Sequence, residues 1–203
     1  MSFDPRRWWQ APERWRDTSG QTLIEAALVV PLLALLAMGV VELGFAMRNQ
    51  HTVNVLCREG SNLISRSTTL ADAATVLTSE QTGTVDFSAN SQIIFSVIER
   101  GATVGSANYN TLILYERHST GASSYASKLT TKGTGSFGGA PDYVALNPDT
   151  DTSLQVTNMP AGVAAEIGGL SYITEIFSAN TLMTALANWG VTVPTQIYSI
   201  SYF

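Results

Sequence analysis

The run from Ala26 to Met47, AALVVPLLALLAMGVVELGFAM, constrains this chain more than any other stretch. It is 22 residues long and carries one charge, Glu42. A hydrocarbon core of ~30 Å takes ~20 helical residues, so the run is long enough to cross a membrane. A core helix of a soluble domain and a cleaved secretory signal are the rivals. A secretory signal wants an apolar core of about 7–15 residues closed by a small-residue cut site. This run is longer, and no A-x-A pattern closes it. The core-helix reading ignores the flanks. Residues 1–20 hold Arg6, Arg7, Arg14 and Arg16 with Trp8, Trp9 and Trp15, and a mostly polar segment follows Met47. Arginine and tryptophan are membrane-flank residues, and the arginine-rich side is the cytoplasmic one. The expected topology is a single inner-membrane pass with a cytoplasmic N-terminus and residues 48–203 outside. Pro5 and Pro12 exclude one long helix over 1–20.

Composition removes several functions. The 203 residues are 13% charged with a net charge of −5, against about 25% charged residues in an ordinary soluble domain. An acidic chain with two lysines, Lys128 and Lys132, lacks the basic face that phosphate neutralisation needs, so no nucleic-acid partner is expected. One cysteine, Cys57, excludes an internal disulfide, a thiolate zinc cage and an iron–sulfur cluster. Ser and Thr make up a fifth of the chain, which suits an exported domain.

The mouth of the apolar run is specific. Gly20 precedes Gln21, and Glu25 follows five residues after the glycine. This pattern resembles the prepilin signal of type IV pilins and pseudopilins, although Ala26 stands where many of those signals carry an aromatic residue. The likeness narrows with Gly20-Gln-Thr-Leu-Ile-Glu25-Ala-Ala-Leu-Val-Val-Pro31, then Gly39-Val-Val-Glu42-Leu-Gly44, then Arg58-Glu59-Gly60. Together these resemble the TadE/TadG family, minor pilin-like proteins of tight-adherence (Tad/Flp) pilus systems. The segments Leu170–Phe177 and Ile197–Phe203 are similar to the C-terminal end of that family. The resemblance covers Gly20 to about Ser67 specifically, the C-terminus weakly, and 80–168 not at all. It implies cleavage by a prepilin peptidase between Gly20 and Gln21. It also implies membrane residence followed by filament assembly, with Glu25, Pro31 and Glu42 as assembly positions.

Two readings of Glu25 stand side by side. It caps the start of a helix, where the macrodipole favours negative charge, or it pairs with the free α-amine of a neighbouring subunit. Glu25 and Glu42 lie ~25 Å apart along a helix, one near each membrane face. Glu42 reads as an interfacial residue at the outer end. Pro31 removes one helix hydrogen bond, tolerable inside a membrane. Ala26, Ala27, Ala34, Ala37, Gly39, Gly44 and Ala46 are small enough for close helix approach.

The helical period continues outside. Val53, Leu56, Gly60, Leu63 and Ile64 share one face, which predicts a helix from about Gln21 to Arg66, ~69 Å long. Cys57 sits beside that face as a small buried hydrophobe. Ser67-Thr68-Thr69 caps a second helix over Leu70–Thr78, with Leu70, Ala73, Ala74 and Leu77 inward. From Thr82 the pattern turns strand-like. Strands are expected over Gln92–Glu99, Asn110–Arg117, Tyr143–Leu146, Ser153–Thr157, Leu170–Phe177 and Gln196–Phe203, the first two paired antiparallel. Short helices are expected over Val163–Ile167 and Thr181–Trp189, and Ser119–Pro141 reads as an exposed Gly/Ser/Thr-rich loop. The fold class is α+β, a long N-terminal transmembrane and stalk helix followed by a small antiparallel sheet. The divisions are 1–20 cytoplasmic leader, 21–66 membrane and stalk helix, and 67–203 extracytoplasmic domain.

The motifs of chemistry lack their contexts. Gly133-Thr-Gly135-Ser-Phe-Gly138 matches G-x-G-x-x-G but has no strand before it and no helix after it. Asn147–Ser153 alternates oxygen-bearing residues like a calcium loop but has Thr152 at the sixth position and Asn158 at the twelfth. His51 and His118 are isolated, so no metal site is expected. No catalytic motif occurs, so neither an enzyme nor a cofactor is expected. The leading function is a structural pilin-like subunit of a type IV (Tad-like) filament, partnered by other pilin subunits, a prepilin peptidase and the inner membrane. The alternative is a membrane-anchored envelope binding module or adhesin that does not polymerise. An anchored enzyme is the weaker third.

Overall fold

The computed structural model describes residues 19–80, 85–179 and 196–203. The leader 1–18 and the helix expected over Thr181–Trp189 lie outside these residues. The chain divides into two units, one ending at Leu43 and one spanning Gly44–Phe203.

Helix α1 runs Ser19–Ser65 without a break, with Pro31 inside it. In the first unit its apolar side chains are exposed, Leu23, Leu28 and Val40 each by more than two thirds. An apolar helix of this length exposed all round needs an apolar surround, and α1 is long and apolar enough to cross a membrane.

In the second unit the remainder of α1 turns one face inward. Val53, Leu56 and Ile64 are buried, and Leu63 packs against the same core. The Thr69 hydroxyl accepts the Asp72 amide at 3.1 Å and starts helix α2, Leu70–Ser79. A side chain that satisfies one of the orphan first-turn N–H groups fixes where a helix begins. The inward face of α2 is Leu70, Ala73, Ala74 and Leu77, as its spacing predicts.

Four strands form one antiparallel sheet in the order β2-β1-β3-β4: β1 Ser91–Arg100, β2 Leu112–Gly121, β3 Leu170–Ala179 and β4 Gln196–Tyr202. β1 is central and buried on both faces. Ile93, Phe95 and Val97 of β1 meet α1 and α2 in one core. Ile98 joins Leu114, Leu129, Leu154 and Ile173 in a second core. The sheet is therefore a middle layer, with helices on one face and the long β2–β3 connection on the other.

Three expectations are corrected. Tyr143–Leu146 and Ser153–Thr157 are not strands. They contribute isolated bridges, Glu116 to Val144 and Ile113 to Gln155, along the outer edge of β2. Val163–Ile167 is not a helix, since a single 3-10 turn covers Ala161–Val163. Ser119–Pro141 is not a free loop. Its first residues belong to β2, and Leu129 is buried. Three side chains hold this connection down. Gln92 Oε1 accepts the Tyr125 amide, and Glu175 Oε1 accepts the Lys128 amide at 2.8 Å. Arg117 donates to Ser127 Oγ at 3.1 Å.

Candidate functional site

Gly20 and Gln21 are helical residues of α1. A Cβ placed on Gly20 would meet nothing within 4 Å. Packing among the described residues therefore does not demand the glycine. Gln21 Nε2 donates to Glu25 Oε1 at 2.9 Å across one helical turn. Glu25 is exposed. Pro31 is exposed. Glu42 is 9% exposed, and its Oε2 has no hydrogen-bond partner among the described residues.

Gly39 and Gly44 share the openness of Gly20, with nothing within 4 Å of an added Cβ. Gly60 is the contrast. A Cβ there would stand 2.8 Å from Thr174 Cγ2 and 2.9 Å from both Leu77 Cδ1 and Thr174 Oγ1. The seam around it is built from small polar groups of α1. Cys57 Sγ donates to the Thr174 carbonyl at 2.8 Å, and Ser61 Oγ donates to the Ser201 carbonyl at 3.0 Å. Burial pushes the Cys57 thiol up to about 12. A thiol held protonated is inert, as expected for a packing cysteine.

The rest of the motif is surface. Arg58, Glu59 and Asn62 of α1 form a cleft of about 400 Å³ with Ser201, Tyr202 and Phe203 at the end of β4. The Arg58-Glu59-Gly60 string thus holds one residue that seats the helix and two that line a cleft. Residues 20–62 match the TadE-like protein family. The match ends at residue 62 of 203, so it takes in the apolar helix, Gly20, Glu25 and the cleft residues of α1 but none of the sheet. No curated protein and no solved structure matches the chain.

Elsewhere the polar groups serve the fold. Asp151 Oδ1 accepts the Ser153 amide at 2.9 Å and caps the 3-10 turn Thr152–Leu154, so the calcium-like string folds as a turn. Buried Asn108 fixes that turn by donating to the Pro148 and Asp151 carbonyls at 2.7 and 3.0 Å. Gly133 donates its amide to the Ser153 carbonyl at 2.8 Å, and Gly135 adopts φ +64°. That glycine string is a loop braced against a neighbouring turn. His118 stacks on Tyr143 with ring centroids 4.0 Å apart. Among the described residues no group of three His, Cys, Asp or Glu could hold a metal ion.

The buried carboxylate Glu175 was not singled out from the sequence. It is fully buried in β3 and takes hydrogen bonds from Ser127 Oγ, the Lys128 amide and Tyr198 Oη, the last at 2.9 Å. Burial, and next the Glu175 charge, push the Tyr198 hydroxyl upward, so it stays a donor. A buried charge is tolerable when its lone pairs are filled in this way. The only signal was a glutamate inside an otherwise apolar strand, Ile173-Thr-Glu-Ile-Phe177.

Proposed function

We propose that this chain is a structural pilin-like subunit that takes part in assembly of, or is incorporated into, a Tad-like type IV filament. The observation that carries the reading is the coincidence of the TadE-like match over 20–62 with a helix whose apolar side chains lie exposed. Openness at Gly20, Gly39 and Gly44 supports it, because no contact among the described residues needs those glycines, while helices of other subunits would gain close approach. In this reading a prepilin peptidase cuts between Gly20 and Gln21. The helix stays in the inner membrane with residues 1–20 cytoplasmic and 48–203 outside. Glu25 then pairs with the new α-amine of a neighbouring subunit, and the chain itself performs no catalysis.

Intact mass of the membrane-extracted protein tests the cut. The expected species begins at Gln21, and Gly20→Leu is expected to keep Met1. A native protein that always retains residues 1–20 would reject the prepilin reading and leave the anchored envelope module in front. Glu25→Gln tests assembly. Insertion and folding are expected to persist, while recovery of pilin partners falls. Equal recovery would remove the pairing role.

A further inference from the structure

Among the described residues β4 is an edge strand with an open flank. The Tyr172–Phe203 pair exchanges both main-chain bonds, 2.9 Å each. Such pairs alternate along an antiparallel ladder. Ser199 and Ser201 therefore also bond toward β3, while Tyr198, Ile200 and Tyr202 turn their N–H and C=O groups away from it. Gln50 Nε2 donates to the Tyr198 carbonyl at 3.2 Å. The outward groups of Ile200 and Tyr202 have no partner among the described residues. The opposite edge of the sheet is closed. The Ala145 amide donates to the Tyr115 carbonyl at 2.7 Å, the Arg117 amide to the Tyr143 carbonyl at 3.3 Å and the Val156 amide to the Leu112 carbonyl at 2.8 Å. Unpaired edges are templates for another strand, and proteins usually blunt or cover them.

The open flank also has a wall. The cleft of about 400 Å³ runs between Arg58, Glu59 and Asn62 of α1 and the Ser201–Phe203 end of β4. Arg58 is exposed and Glu59 half-buried, and neither makes an ion pair or side-chain hydrogen bond among the described residues. The cleft thus offers main-chain donors and acceptors on one side and one unpaired charge of each sign on the other.

We propose that this edge takes an extended segment of a partner protein as a fifth strand, and that the segment carries a carboxylate and, two residues away, a basic side chain. Added strands draw affinity from main-chain bonds and specificity from alternate side chains. Residues two apart on a strand face the same way about 7 Å apart, so one face presents both signs to Arg58 and Glu59. A segment of single sign would leave one cleft charge facing its like. A second copy fits poorly. Among the described strands its β2 edge is closed, which leaves β4 to offer, and β4, QIYSISY, has no charged residue. The assignment is independent of leader cleavage and of filament assembly.

The test uses the full chain in detergent micelles and the synthetic peptide Thr-Val-Asp-Val-Lys-Val-Thr, followed by amide exchange and amide shifts. The peptide is expected to slow exchange at Ile200 and Tyr202 at least ten-fold. Arg58→Gln, or an Asn-for-Asp peptide, is expected to weaken binding at least five-fold. Ile200→Pro removes an outward donor and no bond to β3, so it is expected to abolish protection at Tyr202 while the β1 amides keep theirs. No slowing at millimolar peptide, or equal binding by Ile200→Pro, would overturn the proposal. Slow exchange at Ile200 and Tyr202 without peptide, rising with protein concentration, would overturn it in favour of a second copy.

Discussion

At Gly60 the helix leaves no room for a side chain. Gly60→Ala pushes a methyl group against Thr174 and Leu77 at under 3.0 Å. Overpacking of this kind costs about 1–3 kcal/mol, and a lowered urea midpoint in detergent is the expected result. Gly20→Ala, with open space around it, is expected to leave that midpoint unchanged. Glu116 gives a second residue-level expectation. Burial first, and then the nearby Asp142 charge, raise its carboxyl from 4.5 to about 7. The native state therefore holds this proton more tightly than the unfolded chain does. The destabilisation is complete above pH 7 and fades as pH falls toward 4.5, so stability contributed by this group rises on acidification. Glu116→Gln is expected to be more stable than the parent at pH 8 and equal to it near pH 4.5. A variant no more stable at pH 8 would show that Glu116 is already solvated.

Among the elements, the strap over the second sheet face rests on a relay rather than on apolar contact alone. Arg117 reaches Ser127, and Ser127 reaches Glu175. Ser127→Ala leaves a buried carboxylate oxygen and a guanidinium N–H short of a partner, a loss of about 1–3 kcal/mol. The expected readout is faster amide exchange over 125–131 with the β1 amides still protected; uniform loss of protection would show that strap and sheet open together. This strap also marks where sequence reading stops. Helix α2 was legible because Thr69 and the Leu70, Ala73, Ala74, Leu77 spacing act locally. β1, β3 and β4 were legible from dense Ile, Val, Tyr and Phe. β2 was misplaced by two to four residues because Asn110 takes φ +56° and its Oδ1 accepts from Arg100, which holds the turn open until Leu112. Tyr143–Leu146 and Ser153–Thr157 have strand composition but find only an edge to lean on, and no local pattern reports that. The helix part of the candidate site was readable residue by residue, from Gly20 to Arg58-Glu59-Gly60. The cleft was not, because half of it comes from the far end of the sequence.

For the whole molecule, the compactness boundary at Leu43/Gly44 carries a prediction. A chain cut to Gly44–Phe203 keeps Val53, Leu56 and Ile64 with the sheet they cover. It is expected to fold as a mixed α/β unit by circular dichroism, whereas a cut at 67, which removes that helix face, is expected to aggregate or stay unfolded. Equal folding of both would show that α1 is dispensable to the core. Cys57 makes such measurements simple. It is the single thiol of the chain, fully buried at the centre of the helix–sheet seam and held protonated. A thiol-specific dye therefore labels only molecules whose seam has opened, and where labelling outpaces reclosing its rate counts openings. The chain carries its own clock for how often helix and sheet come apart, readable without any added tag.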